Sequence, residues 1–382
     1  MTSALAAGRG SLRRLGRVPA FDTLRAVAVG LVLVSHLTAI LPFWVVDERF
    51  SRSGFLGVDL FFVLSGFLIT SQLLQEHHEG GRIRFGRFYA RRALRLLPAL
   101  LFLFAVYLTY SQLNDWPPFD RRDFAFDSME ATFLYYMNWR VLWNPLGAAD
   151  LTAIWSLSIE EQYYLAWPLL LLGFLAWTRS SNRTAWILGA AAVAVTVWRA
   201  VVFRHWGWEA AYLRTDTRID GLLWGSLAAV LFARGHLRRL PRWTPVAVLA
   251  VWAWALVVVE GDRGSAYYGG ITVWVLACCA IILFLADRPD VGAGGRLATA
   301  TQRVGRVSYG LYLWQLPALR AVDRWGDTWP QIVRAAAGLG LLAALTLTSW
   351  FVVERPMLVL KQRLTERWHA GDVRRTMPAD VV

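Results

Sequence analysis

About ten runs of mostly apolar residues divide this 382-residue chain, at 20–40, 54–75, 94–111, 153–177, 184–203, 213–233, 243–259, 267–286, 307–321 and 332–353. A helix needs about 20 such residues to cross a bilayer's hydrocarbon core. A soluble domain rarely contains one run of this length, so the pattern predicts an all-α polytopic membrane protein of about ten transmembrane helices. Hydrophobic residues make up 56% of the chain and the mean hydropathy is +0.40, above what a soluble domain carries. Several of the 21 tryptophans fall near run ends (Trp44, Trp143, Trp155, Trp177, Trp243, Trp329), as expected of aromatic anchors at the headgroup level.

The formal charge of +13 does not form a nucleic-acid patch. Of the 40 Lys and Arg residues, 26 lie in the tail and in 76–95, 178–183, 234–242, 287–306 and 354–382, and ten lie in the alternate connections. That asymmetry predicts both termini in the cytoplasm and an even number of crossings. No cleavable signal peptide is evident, so the first run reads as a retained helix of a multi-pass cell-membrane protein. Residues 1–17 read as a mobile, basic cytoplasmic tail, 18–357 as one membrane domain and 358–382 as a second cytoplasmic tail. The longest outer connection, 112–152, holds an apolar stretch at 131–137 too short to span, expected to be interfacial or re-entrant. The adjacent Cys278 and Cys279 read as packing residues, and no metal-ligand spacing occurs. Lys361 is the only lysine, which reads as compositional bias.

Ionisable side chains inside hydrocarbon each need a reason. Arg25 and His36 are eleven residues apart on the first run, three helical turns plus ~20°, so they share a face with a rise of roughly 16 Å. A cation at one end and an imidazole deeper in suit an elongated anionic ligand. Alternatively, Arg25 snorkels to the interface and His36 bonds a neighbouring helix. Asp59 on the second run needs a partner, for which His36 and an arginine are both candidates. Arg92 and Arg95 are helical neighbours suited to phosphate oxygens, or else a positive-inside cluster against anionic lipid. Glu160 and Glu161 open the fourth run, as acid or base or as partners of the helix N-terminus. Arg214, Asp216, Arg218 and Asp220 read as a mutually neutralising network of i,i+4 pairs.

Five segments in order resemble the acyltransferase-3 family of membrane acyltransferases. Phe21-Asp22-Thr23-Leu24-Arg25, running on to His36, is similar to its opening Arg-x10-His pattern. Gly57–Phe67, Arg92-Ala93-Leu94-Arg95, Trp155–Tyr164, and Ser308–Trp314 with Glu354-Arg355-Pro356 fit the others. The resemblance covers residues 19–357. Many members carry His after the tryptophan of the Ser-Tyr-x-Leu-Tyr-Leu-Trp motif, where this chain has Gln315. Some append a soluble esterase-like domain, which this sequence is expected to lack.

The resemblance implies transfer of an acyl group, commonly acetyl, from cytosolic acyl-CoA as co-substrate to a hydroxyl of a sugar, cell-surface glycan or glycosylated metabolite, with no bound cofactor. On that reading Arg25, Arg92 and Arg95 hold the donor's phosphates. His36 takes the hydroxyl proton or carries the acyl group, oriented by Asp59 or Glu160, and Tyr163, Tyr309 and Ser65 are candidate oxyanion donors. A polysaccharide or lipid transporter is the rival reading, since intramembrane charges also relay protons. No inverted repeat supports it. A scaffold would leave the buried charges unexplained. Acceptor, acyl length and oligomeric state are not readable.

Overall fold

The apolar runs fall on helical segments, 213–233 on two of them, in the computed structural model, which describes residues 12–37, 52–113, 122–144, 150–178, 181–235 and 239–376. No strand occurs among the described residues. In chain order the helices are α1 (Ala20–Leu37), α2 (Leu56–Gly80), α3 (Phe85–Leu113), α4 (Arg122–Phe133), α5 (Met137–Trp143), α6 (Trp155–Thr178), α7 (Ser181–Leu213), α8 (Thr215–Arg218), α9 (Asp220–Ala233) and α10 (Thr244–Val258). They continue as α11 (Ile271–Asp287), α12 (Arg296–Arg306), α13 (Ser308–Trp325), α14 (Gln331–Thr348) and α15 (Arg355–Thr376).

Among the described residues six helical stretches are long and apolar enough to cross a membrane: Ala20–Leu37, Leu56–Gly80, Phe85–Gln112, Asn182–Leu213, Ala266–Asp287 and Gln331–Trp368. α9 and α10 are apolar but shorter. Large apolar side chains face outward along the helices, among them Leu169, Val246, Leu249 and Val352. Charged pairs lie inside. This polarity is the reverse of a water-soluble domain's and suits a lipid surround. Trp143, Trp177, Trp243 and Trp329 are exposed, as anchors should be, whereas Trp155 is buried; Trp44 lies outside the described residues.

α2 is the hub and packs on α1, α6, α9 and α11. Its small residues permit this. A Cβ at Gly57 would collide with the Ala28 carbonyl oxygen of α1, and one at Gly66 with the Leu222 carbonyl oxygen of α9.

The stretch expected to be interfacial is a break between two short helices. Tyr135 sits there with φ 58°, in the left-handed region. The Gln162 amide of α6 donates to the Tyr135 carbonyl (2.6 Å), and the Met137 amide donates to Ser158 Oγ (3.1 Å). Irregular backbone is thereby satisfied by protein.

Both expected tails are described in part. Residues 12–17 are held in place: Arg13 pairs with Asp287 (2.7 Å) and lies over the Phe232 ring. Residues 1–11 lie outside the described part of the chain. At the other end, α15 carries the chain on as helix to Thr376, and its first turns pack against α3.

Candidate active site

Two cavities lie along α1 and α13, one holding the arginines and the other the histidine. The arginine cavity, about 310 Å³, takes its charge from α1 (Arg25), α3 (Arg91, Arg92, Arg95), α6 (Glu160) and α15 (Lys361). Helical periodicity explains the α6 contribution. Ser156, Glu160 and Tyr164 recur every four residues and line the wall together.

Most of these charges are already partnered. Arg25 pairs with Asp22 (2.5 Å), Arg91 with Glu76 (3.2 Å) and Arg92 with Glu161 (2.7 Å). The Arg92 guanidinium also lies 3.4 Å from the Tyr164 ring centroid, a cation–π contact that fixes its plane. Ser65 donates to Glu160 (3.0 Å), and Tyr309 donates to the Leu96 carbonyl (3.1 Å). Arg95 forms no ion pair among the described residues, although Arg25, Arg92 and Glu160 all act on it electrostatically. It is the guanidinium free to meet an anionic ligand.

The histidine cavity, about 450 Å³, is lined by Ser35, His36, Trp155, Trp208, Glu209 and Arg320, among others. His36 Nδ1 is buried without a hydrogen-bond partner among the described residues. Gln315 and Arg320 are the polar side chains acting on its imidazole. Gln315 is fully buried and near enough to act on the imidazole as a hydrogen-bonding group, although neither amide atom reaches full hydrogen-bond geometry with any partner among the described residues. Arg320 is held by Asp150 (3.7 Å), which also accepts two bonds from Arg324 (2.9 Å each).

A thin partition divides the two spaces. Tyr312 and Ser156 line the arginine cavity, while Ala153 and Trp155 line the other. The Ser156 and Tyr312 hydroxyls are 2.5 Å apart, and Tyr312 also donates to the Ala153 carbonyl.

Of the residues the sequence singled out, Arg25, Arg92, Arg95, Glu160 and Tyr309 therefore share one cavity. His36 opens on the second, so Glu160 does not face the same space as the imidazole. Asp59 and Tyr163 line neither. Asp59 is ion-paired with Arg218 (2.9 Å), both side chains fully buried, and this withdraws it from any role beside His36. Tyr163 stacks on Trp167 and shares a hydrogen bond with Ser226 (2.7 Å), because positions 163 and 167 fall on the face of α6 turned from the cavity. Tyr164, one turn beyond Glu160, and Lys361, which reads in the sequence as compositional bias, also line the arginine cavity.

The network expected around 214–220 exists with different partners. Arg218 pairs with Asp59, Asp220 with Arg199 (2.5 Å), and Arg214 with Asp216 (2.7 Å). The chain breaks between α8 and α9 at Ile219, so the i,i+4 register does not carry across.

Arg95→Ala is expected to raise the KM for an anionic donor roughly ten- to a hundredfold, the worth of a charged hydrogen bond. Arg92→Ala is expected to lower expression as well, because it leaves Glu161 buried and unpaired. Donor titrations and the yield of monodisperse protein separate the two effects.

The model of the acyltransferase-3 family, described as an acyltransferase domain, matches residues 18–354. The chain is similar to the peptidoglycan O-acetyltransferase OatA of Listeria monocytogenes, at 29% identity over 359 residues, 89% of this chain and 56% of that protein. It is similar to the O-acetyltransferase OatA of Staphylococcus aureus, 29% identical over 322 residues, 81% of this chain and 51% of that protein. It also resembles the putative peptidoglycan O-acetyltransferase YrhL of Bacillus subtilis, 32% identical over 322 residues, 79% of this chain and 48% of that protein. The chain thus spans about half the length of the curated relatives it matches. No solved structure matches it. Its long apolar helices, with these relatives, make it a multi-pass membrane protein.

Proposed function

Because the chain belongs to the acyltransferase-3 family, we propose that it is a membrane O-acyltransferase that moves an acyl group, most simply acetyl, from acyl-CoA to a hydroxyl of a cell-wall glycan. The observation that carries this reading is the end-to-end placement of two cavities along α1. Arg25 opens on one and His36 on the other, eleven residues on and roughly 16 Å higher. A donor with phosphates at one end and a thioester at the tip of a long thin arm fits that spacing.

Arg95 takes the phosphates, with Arg25 and Arg92, each held by its own carboxylate, beside it. The arm passes the Ser156–Tyr312 partition and brings the thioester to His36. The neutral imidazole accepts the acceptor's hydroxyl proton as the oxygen attacks the thioester carbonyl. The carbon–sulfur bond then breaks, and the imidazolium returns its proton to the thiolate. Ten crossings, with the arginine cavity on the cytoplasmic side, agree with the charge asymmetry of the connecting segments. The glycan acceptor is suggested by the relatives' printed names.

The test is purified protein in lipid nanodiscs with acyl-CoA and a glycan oligomer. Thiol release matched by mass gain on the glycan is expected. Glycan movement across a vesicle membrane without thiol release would favour a transporter instead.

The partition has its own consequence. Tyr312→Ala removes a ring and the hydroxyl that holds Ser156 and the Ala153 carbonyl, so water from the arginine cavity reaches the thioester held at His36. Acceptor-independent thiol release is expected to rise several-fold, measured without glycan. An unchanged background rate would show that the partition does not exclude water.

A further inference from the structure

Lys361 is the single lysine of a chain that uses arginine at every other one of its 40 Lys and Arg positions, and it lines the arginine cavity. It comes from α15, a segment the sequence suggested was a tail. Thr365, one turn on, lines the same cavity, so this face of α15 points inward, while Val359 and Leu360 are exposed on the other side. Lys361 forms no ion pair among the described residues, and the charges of Arg91, Arg92 and Arg95 reach it. Arg91 and Arg92 are answered by Glu76 and Glu161. Arg95 and Lys361 are left as two cations without an ion pair among the described residues, brought to one cavity from separate helices, with Glu160 the carboxylate on its wall. Like charges gathered in a half-buried space repel unless an anion occupies it. A compact ammonium with three rotatable donors also suits a phosphate group that arrives beside fixed guanidinium planes.

We propose that Lys361 binds a phosphate of the acyl donor, which makes the C-terminal helix α15 part of the donor site. This rests on the reading of the arginine cavity as the seat of a phosphate-bearing thioester. The competing source of the same chemistry is a lipid headgroup phosphate at the membrane surface.

The lone lysine makes the test direct. The full chain, in nanodiscs of zwitterionic lipid, is treated with an amine-selective N-hydroxysuccinimide ester, and labelling at residue 361 is read by mass spectrometry. CoA is expected to protect Lys361 at least tenfold at saturation. Protection by dephospho-CoA at the same concentration assigns the contact to the diphosphate, and weaker protection assigns it to the terminal phosphate monoester. In turnover, Lys361→Met is expected to raise the KM for acyl-CoA roughly ten- to a hundredfold with kcat little changed, and Lys361→Arg to retain most of the affinity. Absence of protection by CoA in protein that turns over, or protection that appears only when anionic lipid is added, would overturn the proposal. A wild-type protein that releases no thiol from acyl-CoA sinks the acyltransferase reading instead, and CoA protection of Lys361 in that same protein would still report the phosphate contact.

Discussion

Replacing His36 by alanine is expected to abolish acyl transfer and leave a folded protein. The two halves of this expectation have separate grounds. Loss of a general base costs about 10²–10⁴ in rate, so kcat should fall by at least a hundredfold even if water substitutes in part. The fold should survive because the imidazole is in no ion pair and its Nδ1 has no hydrogen-bond partner among the described residues. The space it vacates opens on an existing cavity of about 450 Å³ rather than on packed core. Donor affinity should be nearly unchanged, since the phosphate-binding cations lie in the other cavity. Glycan acylation followed by mass spectrometry, donor binding by CoA protection, and the size-exclusion profile together measure all three terms. Wild-type acylation by the variant would remove the mechanism. The position where many relatives carry histidine falls at this same site: Gln315 is buried beside His36. An amide cannot take up a proton near neutrality, so of these two neighbours His36 is the one that can act as base.

The helices were legible because hydrocarbon demands long unbroken apolar runs, and such runs survive any uncertainty at their ends. The Arg25–His36 stripe was legible because both residues sit on one helix, where spacing alone sets the face. What the sequence left open depends on a second helix. Asp59 looked catalytic because a carboxylate in hydrocarbon needs a reason, yet the reason is Arg218, 159 positions away. Tyr163 and Tyr164 are adjacent in sequence and about 100° apart on the helix, and only the packed neighbours show that the second faces the cavity. Lys361 reads in the sequence as compositional bias, in a polar C-terminal segment that reads as a tail. Its inward face appears only when α15 is placed beside α3. The partition between the cavities had no sequence signal, since it is built from a hydroxyl of α13 against α6 and a backbone carbonyl.

Asp59→Ala is expected to cost about 3–5 kcal/mol of stability, the usual penalty for leaving one member of a buried ion pair without its partner. Asp59, Arg218, Arg199 and Asp220 are all fully buried. They come from α2, α8, α7 and α9, and Arg199 also donates to Thr272 of α11 (2.9 Å). Two positive and two negative charges close a neutral set across four helices, so removing one carboxylate strands a guanidinium in the middle of the bundle. Arg218 has no compensating route to water. Its nearest alternatives are the Tyr212 and Trp155 ring faces, 5.2 and 5.9 Å from the guanidinium carbon, and these recover only part of the loss. The double variant Asp59→Ala, Arg218→Leu removes both charges and should regain most of the stability, because two uncharged residues need no solvation. Thermal unfolding in detergent, followed by fluorescence-detected size exclusion, measures each corner of the cycle. If Asp59 served His36 instead, the single variant would stay as stable as wild type and lose only activity, and the double variant would rescue nothing. A structural pair predicts the opposite: activity falls only with the folded fraction, and the double variant restores both.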